Sequence, residues 1–209
     1  MDWATAASLA TAAGTLVLAV ATFVSVRSAN RAARVAERTL LAGIRPLLVP
    51  SRPEDPEQKI GFQDNRWIRV PGGQAATDVT DEAVYLVISL RNVGSGLAVL
   101  HGWRFHPQRV MGDAGHPPVE AFHRLMRDIY IPSGEMGFWQ GAFRDPSDPD
   151  FAGARESLCG RQQSTVDLLY GDAEGGQRVI SRFAVIPVGE ERWLATVSRH
   201  WNLDRPTPR

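Results

Sequence analysis

The sequence predicts a mainly β protein: an antiparallel β-sandwich preceded by one long N-terminal transmembrane and juxtamembrane α-helix. Three observations carry this. Residues 3–26 contain no charged side chain. From Pro46 onward the apolar pattern changes from helical to alternating, and short alternating runs punctuated by Gly and Pro then recur to about residue 204. The roughly 160 residues after the helix are enough for one domain with a real core. The chain therefore reads as residues 1–45 (a transmembrane helix over 3–26 that continues as a juxtamembrane helix), a β-sandwich over 46–204 and a disordered tail over 205–209.

A hydrocarbon core of about 30 Å needs roughly 20 apolar residues in a helix, and residues 3–26 meet that length. A cleaved secretion signal and a buried core helix are the other readings of such a segment. A signal opens with a basic stretch, whereas only Asp2 precedes this run; Ala19-Val20-Ala21 does match the small-x-small pattern of a cleavage site. Arg27, Arg31, Arg34 and Arg38 flank the C-terminal end of the span, and no Lys or Arg flanks the other. Basic residues stay on the cytoplasmic side, so the N-terminus is expected outside and the C-terminal domain in the cytoplasm of a single-pass cell-membrane protein. The single cysteine, Cys159, permits no intramolecular disulfide and suits a reducing compartment.

Within the span, Ser8, Thr11, Thr15, Thr22 and Ser25 fall on one side of a helix, with Leu18 filling the gap. Leu9, Leu16, Val20 and Phe23 lie mainly on another side, and Ala6, Ala10 and Gly14 border the hydroxyl stripe. Small and hydroxyl residues let helices approach closely in lipid, which makes the stripe a candidate helix-association face and a homodimer one expected partner arrangement. The alternative is that each hydroxyl bonds the i−4 carbonyl of its own helix. Interhelical hydrogen bonds average only ~0.6 kcal/mol, so the stripe alone does not ensure a tight dimer. Val26, Ala29, Ala33, Ala36 and Leu40 continue as a short heptad-like seam. The arginines form a separate stripe fit for anionic lipid, worth about 1 kcal/mol each near the surface, or an ordinary solvated face that sets topology. Gly43 and Pro46 end the helix.

Strands follow in order. One is expected at 47–49; residues 50–65, with Pro50, Pro53 and Pro56, read as an exposed connection, and a strand follows at 66–70. Val84, Leu86, Ile88 and Leu90 alternate with Tyr85, Val87, Ser89 and Arg91, a half-buried strand. Asn92-Val93-Gly94-Ser95-Gly96 supplies a turn whose glycines can take positive φ. Leu97, Val99, Trp103 and Phe105 continue in the next strand, and others are expected at 128–131, 137–143, 164–170, 178–186 and 192–199. Residues 144–163 read as a long loop with one short helix, and residues 170–176 as a hairpin loop.

The run Val166-Asp167-Leu168-Leu169-Tyr170-Gly171-Asp172 with its following Gly and Phe183 strand resembles Ig-like sandwich modules, as does the strand ending in Asn92-Val93-Gly94-Ser95-Gly96. The whole chain resembles uncharacterised bacterial single-pass membrane proteins that join an N-terminal helix to such a domain. Its alanine and arginine richness fits a high-GC, actinobacterial-like source: of 23 Lys and Arg residues, all but Lys59 are arginine. The resemblance implies an Ig-like fold and brings no catalytic residues with it.

Motifs for catalysis and cofactors are absent from the sequence. Gly94-Ser95-Gly96 begins a G-x-G pattern, but Val99 stands where the third glycine belongs, and the turn joins strand to strand, so nucleotide binding is rejected. None of His101, His106, His116, His123 and His200 has i, i+4 or C-x-x-C spacing, and no metal ligand set is assigned. His101 and His106 would lie on opposite faces of a regular strand. Asp148 and Asp150 read as a solvated loop, since a calcium loop's spaced Gly and terminal Glu are missing. No G-x-S-x-G elbow exists, and Cys159 lacks a nucleophile signature. A formal charge of zero, with basic residues gathered beside the membrane, argues against nucleic acid. Trp139, Trp193 and Trp201 read as partner-site or core residues. The expected function is a non-enzymatic membrane protein whose cytoplasmic sandwich binds or scaffolds a protein partner, with membrane lipid as the other partner and no cofactor. The alternatives are a membrane-anchored hydrolase or metal-binding protein using the 144–163 loop and nearby histidines, and an exported envelope-facing domain.

Overall fold

The computed structural model describes residues 2–111 and 114–204, and the chain divides into two compact units, Met1–Gly43 and Ile44–Arg209. The first unit is a single helix, α1 (Trp3–Gly43). Its sequence is rich in Ala and Leu and free of proline, which suits an uninterrupted helix. A stretch within Ala7–Glu37 has a mean hydropathy of 2.0 and is long and apolar enough to cross a membrane. Helix structure stops at Gly43, as expected from the glycine and the proline beyond it. The tail, 205–209, lies outside the described residues.

In the second unit the strands are β1 (Leu48–Pro50), β2 (Gln58–Gly61), β3 (Trp67–Val70), β4 (Gln74–Val79), β5 (Val84–Asn92), β6 (Ala98–His106), β7 (His123–Ile131), β8 (Met136–Phe143), β9 (Ser164–Gly171), β10 (Arg178–Val188) and β11 (Arg192–Asn202). A short helix, α2 (Phe151–Cys159), lies in the predicted 144–163 loop. All strand pairs are antiparallel. One layer is centred on β5, with β8 along one edge and β4 and β1 in series along the other. The second layer runs β11-β10-β9-β6-β7. Among the described residues, the layers join where Trp193 and Leu194 of β11 pair with Ala75 and Gln74 of β4.

The core lies between the layers. Val84, Leu86, Ile88 and Leu90 of β5 face Trp103, Leu168, Tyr170 and Phe183 across it, and Trp139 and Phe143 of β8 complete the packing. Phe151, Ala154 and Leu158, spaced three and four apart on one face of α2, belong to the same core. Trp139, Trp193 and Trp201 are all buried, which makes them core residues.

The structure corrects the reading of β5 as half-buried. Tyr85 and Val87, on its opposite face, lie under the β2–β3 hairpin, where Ile60, Phe62, Ile68 and Val70 close a second core. A run in which both parities are apolar signals burial on both faces. The expected exposed connection over 50–65 therefore contains a covering strand. β2 was concealed because Gln58-Lys59-Ile60-Gly61 holds one large apolar residue, and β4 because its pattern is weakly apolar. The 92–96 turn is a second correction. Neither Gly94 nor Gly96 has positive φ. A Cβ on Gly96 would stand 1.7 Å from the Ile44 carbonyl oxygen, and one on Gly94 2.4 Å from that of Arg45, so these glycines admit a neighbouring backbone. Buried Asn92 fastens the same turn: its Oδ1 accepts from the Leu47 and Gly94 amides, and its Nδ2 donates to the Gly96 and Ile131 carbonyls.

Candidate functional site

On α1 the hydroxyl stripe is internally bonded. Ser8, Thr11, Thr15, Thr22 and Ser25 each donate to the carbonyl four residues earlier, at 2.8–3.0 Å. The face therefore offers no unmet O–H donor, and association through it would rest on packing. Arg27, Arg31 and Arg34 are exposed on the helix after the apolar span; the Arg38 side chain falls outside those described.

In the β domain, the clearest cleft opens where the two layers part. β7 and β8 are joined by the Pro132–Glu135 turn, and then β8 pairs with β5 while β7 pairs with β6. Their register explains the gap: Leu100 lies opposite Ile129 and Gly102 opposite Arg124, so residues 125–128 bulge out against His101 alone. The resulting cleft, about 320 Å³, has Trp103, Leu125 and Ile129 on its apolar side and Gly141 and Ala142 of β8 on the other. Gly141 is glycine for a reason of space: a Cβ there would stand 2.5 Å from the Trp139 ring.

Cations rim this cleft. Arg124, Arg127 and Arg144 line it and, among the described residues, no carboxylate does. Arg127 donates to Gln140 Oε1 at 2.8 Å, and Arg144 Nη1 to Met126 Sδ at 3.7 Å, so side chains alone bridge the two strands there. Arg144 also donates from Nε to Asp64 at 3.1 Å and lies over the Tyr85 ring. Burial pushes the Asp64 carboxyl up, but bonds from Tyr85 and Arg144 outweigh it and hold the carboxyl below its usual range. Sequence reasoning missed this cleft because it began the strand at 128, whereas β7 begins at His123. The signal was available in the irregular alternation of His123-Arg124-Leu125-Met126-Arg127.

The histidines separate into different surroundings. His123 stacks on Trp103 with centroids 4.8 Å apart and lies 3.3 Å from Asp150. His123, Asp148 and Asp150 bring one ligand atom each to within 4.8 Å of one another. The expected solvated loop thus comes close to a histidine, although Asp148 is also occupied locally: the Asp150 amide donates to its Oδ1, and Asp150 stands at the N-cap position of α2 without a side-chain capping bond. The bulge in β6 overturns the opposite-face expectation for the other pair. His106 bonds Asp167 at 3.1 Å, and His101 lines an outer cleft with Leu169, so both lie on the outer side of the second layer. His116 meets the edge of Trp201.

The domain also holds two buried polar networks. Arg182 grips Asp167 with two bonds of 2.8 Å, stacks on Trp201 at 4.9 Å, and donates to the Met111, Ala114 and Gly115 carbonyls, fastening the preceding loop to the sheet. In the other, the Leu48 amide donates to the Tyr170 hydroxyl, which bonds Ser181, which lies 2.6 Å from His200 Nδ1. Burial pushes the Tyr170 hydroxyl up to about 12 and the His200 imidazole below its usual value. The contacts form one continuous chain from the Leu48 amide to the His200 imidazole. Ser181 is wholly enclosed, which makes this pair a structural link and not an accessible nucleophile.

These features define a class: an antiparallel β domain preceded by one helix long and apolar enough to cross a membrane. No protein-family model, curated protein or solved structure matches the chain.

Proposed function

We propose that this chain is a single-pass membrane protein that presents an Ig-like β-sandwich in the cytoplasm as a binding or scaffolding module for a protein partner. The observation that carries the reading is α1: an apolar stretch of spanning length, with its basic residues gathered after it and none before it. The neighbour relations of the strands support the Ig-like assignment. β5 is flanked by β1 and β4 on one side and β8 on the other, and β9 by β10 and β6, in keeping with the A-B-E and C-F-G order of that class. The resemblance to bacterial single-pass proteins of this build belongs to the same proposal. Anionic lipid around Arg27, Arg31 and Arg34 is the second partner it implies.

The lone thiol tests the orientation. Cys159 is exposed, so lysis alone opens it to reagent. A membrane-impermeant thiol reagent should leave it unlabelled in intact cells and label it after lysis. Labelling in intact cells sinks the cytoplasmic assignment and favours an exported domain.

A membrane-anchored metal-dependent hydrolase is the second reading, favoured by the approach of His123 to Asp148 and Asp150. The positive end of the α2 dipole accounts for carboxylates at this place without a cation. Metal analysis of purified protein separates the readings: bound zinc or manganese that disappears in both H123A and D150N supports the hydrolase.

A further inference from the structure

We infer that the cleft between β7 and β8 receives an extended acidic segment of a partner protein, which adds as a strand to the open edge of β8. The inference rests on the binding-module reading and names its site and the chemistry of its partner. Among the described residues, β8 pairs only with β5 and β7 only with β6, so two strand edges face each other across the gap with no ladder between them. Unpaired edges are templates for an incoming strand, and main-chain bonding supplies affinity in such additions. Gly141 and Ala142 of β8 line the cleft, so the β8 backbone itself borders the gap.

Charge selects the occupant. The bridges now spanning the gap pair cations with neutral acceptors, an amide oxygen for Arg127 and a thioether sulfur for Arg144. No carboxylate pairs with Arg124 or Arg127 among the described residues. A carboxylate taking the place of Gln140 Oε1 or Met126 Sδ would form charge-assisted bonds, about twice as strong as neutral ones. Half-buried Leu125, beside Trp103 and Ile129, meanwhile offers apolar contact to a side chain of the incoming strand. An alternating acidic and apolar strand satisfies both walls. A lipid headgroup would use the arginines and leave the sheet edges and the apolar wall unmet.

The test uses the full chain in neutral phosphatidylcholine nanodiscs and a fluorescent octapeptide alternating Glu and Val. The expected result is saturable binding that weakens with salt, falls about tenfold or more in R127E, and is lost when alternate peptide amides are N-methylated. R124E/R127E should reverse the preference toward the Lys and Val counterpart, which guards against a variant that merely unfolds. Equal binding of the Glu and Lys peptides, or undiminished binding of the N-methylated form, overturns the proposal. Self-association abolished by R127E, without peptide binding, assigns the cleft to a second copy and also overturns it. None of these readouts depends on membrane orientation, so their failure leaves the Cys159 experiment to judge the anchoring separately.

Discussion

Replacing Arg182 by methionine should cost the β domain a large part of its stability. Arg182 and Asp167 are both essentially unexposed, and the pair is held by two bonds of 2.8 Å. Methionine fills most of the volume but leaves the carboxylate buried without its cation, a change that costs about 3–5 kcal/mol. Domains are stable by only about 5–15 kcal/mol, and at this size each kcal/mol moves the melting temperature by about 2–4 °C. The expected fall is therefore about 6–20 °C. Asp167→Leu/Arg182→Met should recover most of it, because no charge is then stranded. Thermal melts of the full chain in detergent, followed by the fluorescence of the buried tryptophans, provide the measurement. The pH dependence has a definite sign. Burial pushes the Asp167 carboxyl up, but the bonds from Arg182 and His106 outweigh it and hold the folded value below 3.8. The pair's contribution is thus full above about pH 4 and disappears as pH falls through the folded value. The gap between wild type and Arg182→Met should close on that acid side. A single variant melting within about 2 °C of wild type, or a double variant as unstable as the sum of the singles, would refute the reasoning.

Two further outcomes are expected. His200 has a folded value below 6.5, pushed down by burial, so its contribution is present above that pH and lost as pH falls below it. Melts between pH 7.5 and 5 should show this loss, and H200N should flatten it; an unchanged profile in the variant counts against the Ser181–His200 link. On α1, replacing Thr11, Thr15 and Thr22 by leucine removes hydroxyls already bonded to their own helix. If the stripe associates by close packing, the bulkier leucines should reduce cross-linked dimer in membranes. Unchanged cross-linking would leave the hydroxyls with their local role alone.

The helix was legible because its signal is local: an uncharged run, then arginines, then Gly43 and Pro46. Strands with one strong alternating face were legible for the same reason, and Val84–Leu90 stands as β5 where expected. The layer that covers its other face was hidden, since the β2 sequence has little apolar character and draws its burial from what it lands on. The glycines of the 92–96 turn stand out in the sequence, but the reason for them does not. Positive φ is a local property; the approach of residues 44–47, some fifty positions away in the chain, is not.

The candidate cleft shows the same division. Its arginines are plain in the sequence, but nothing local says that Arg127 of β7 meets Gln140 of β8 and not a carboxylate. Nor does spacing disclose that a bulge at His101 brings His101 and His106 to one side of the sheet. By itself, the sequence determined the apolar helix, its basic border and the run of strands, because each depends on the order of neighbouring residues. Only the tertiary structure decided which strand edges remain open and which charges meet. Those follow from β8 pairing with β5 and β7 with β6 beyond the turn that joins them, a property of packing between distant segments.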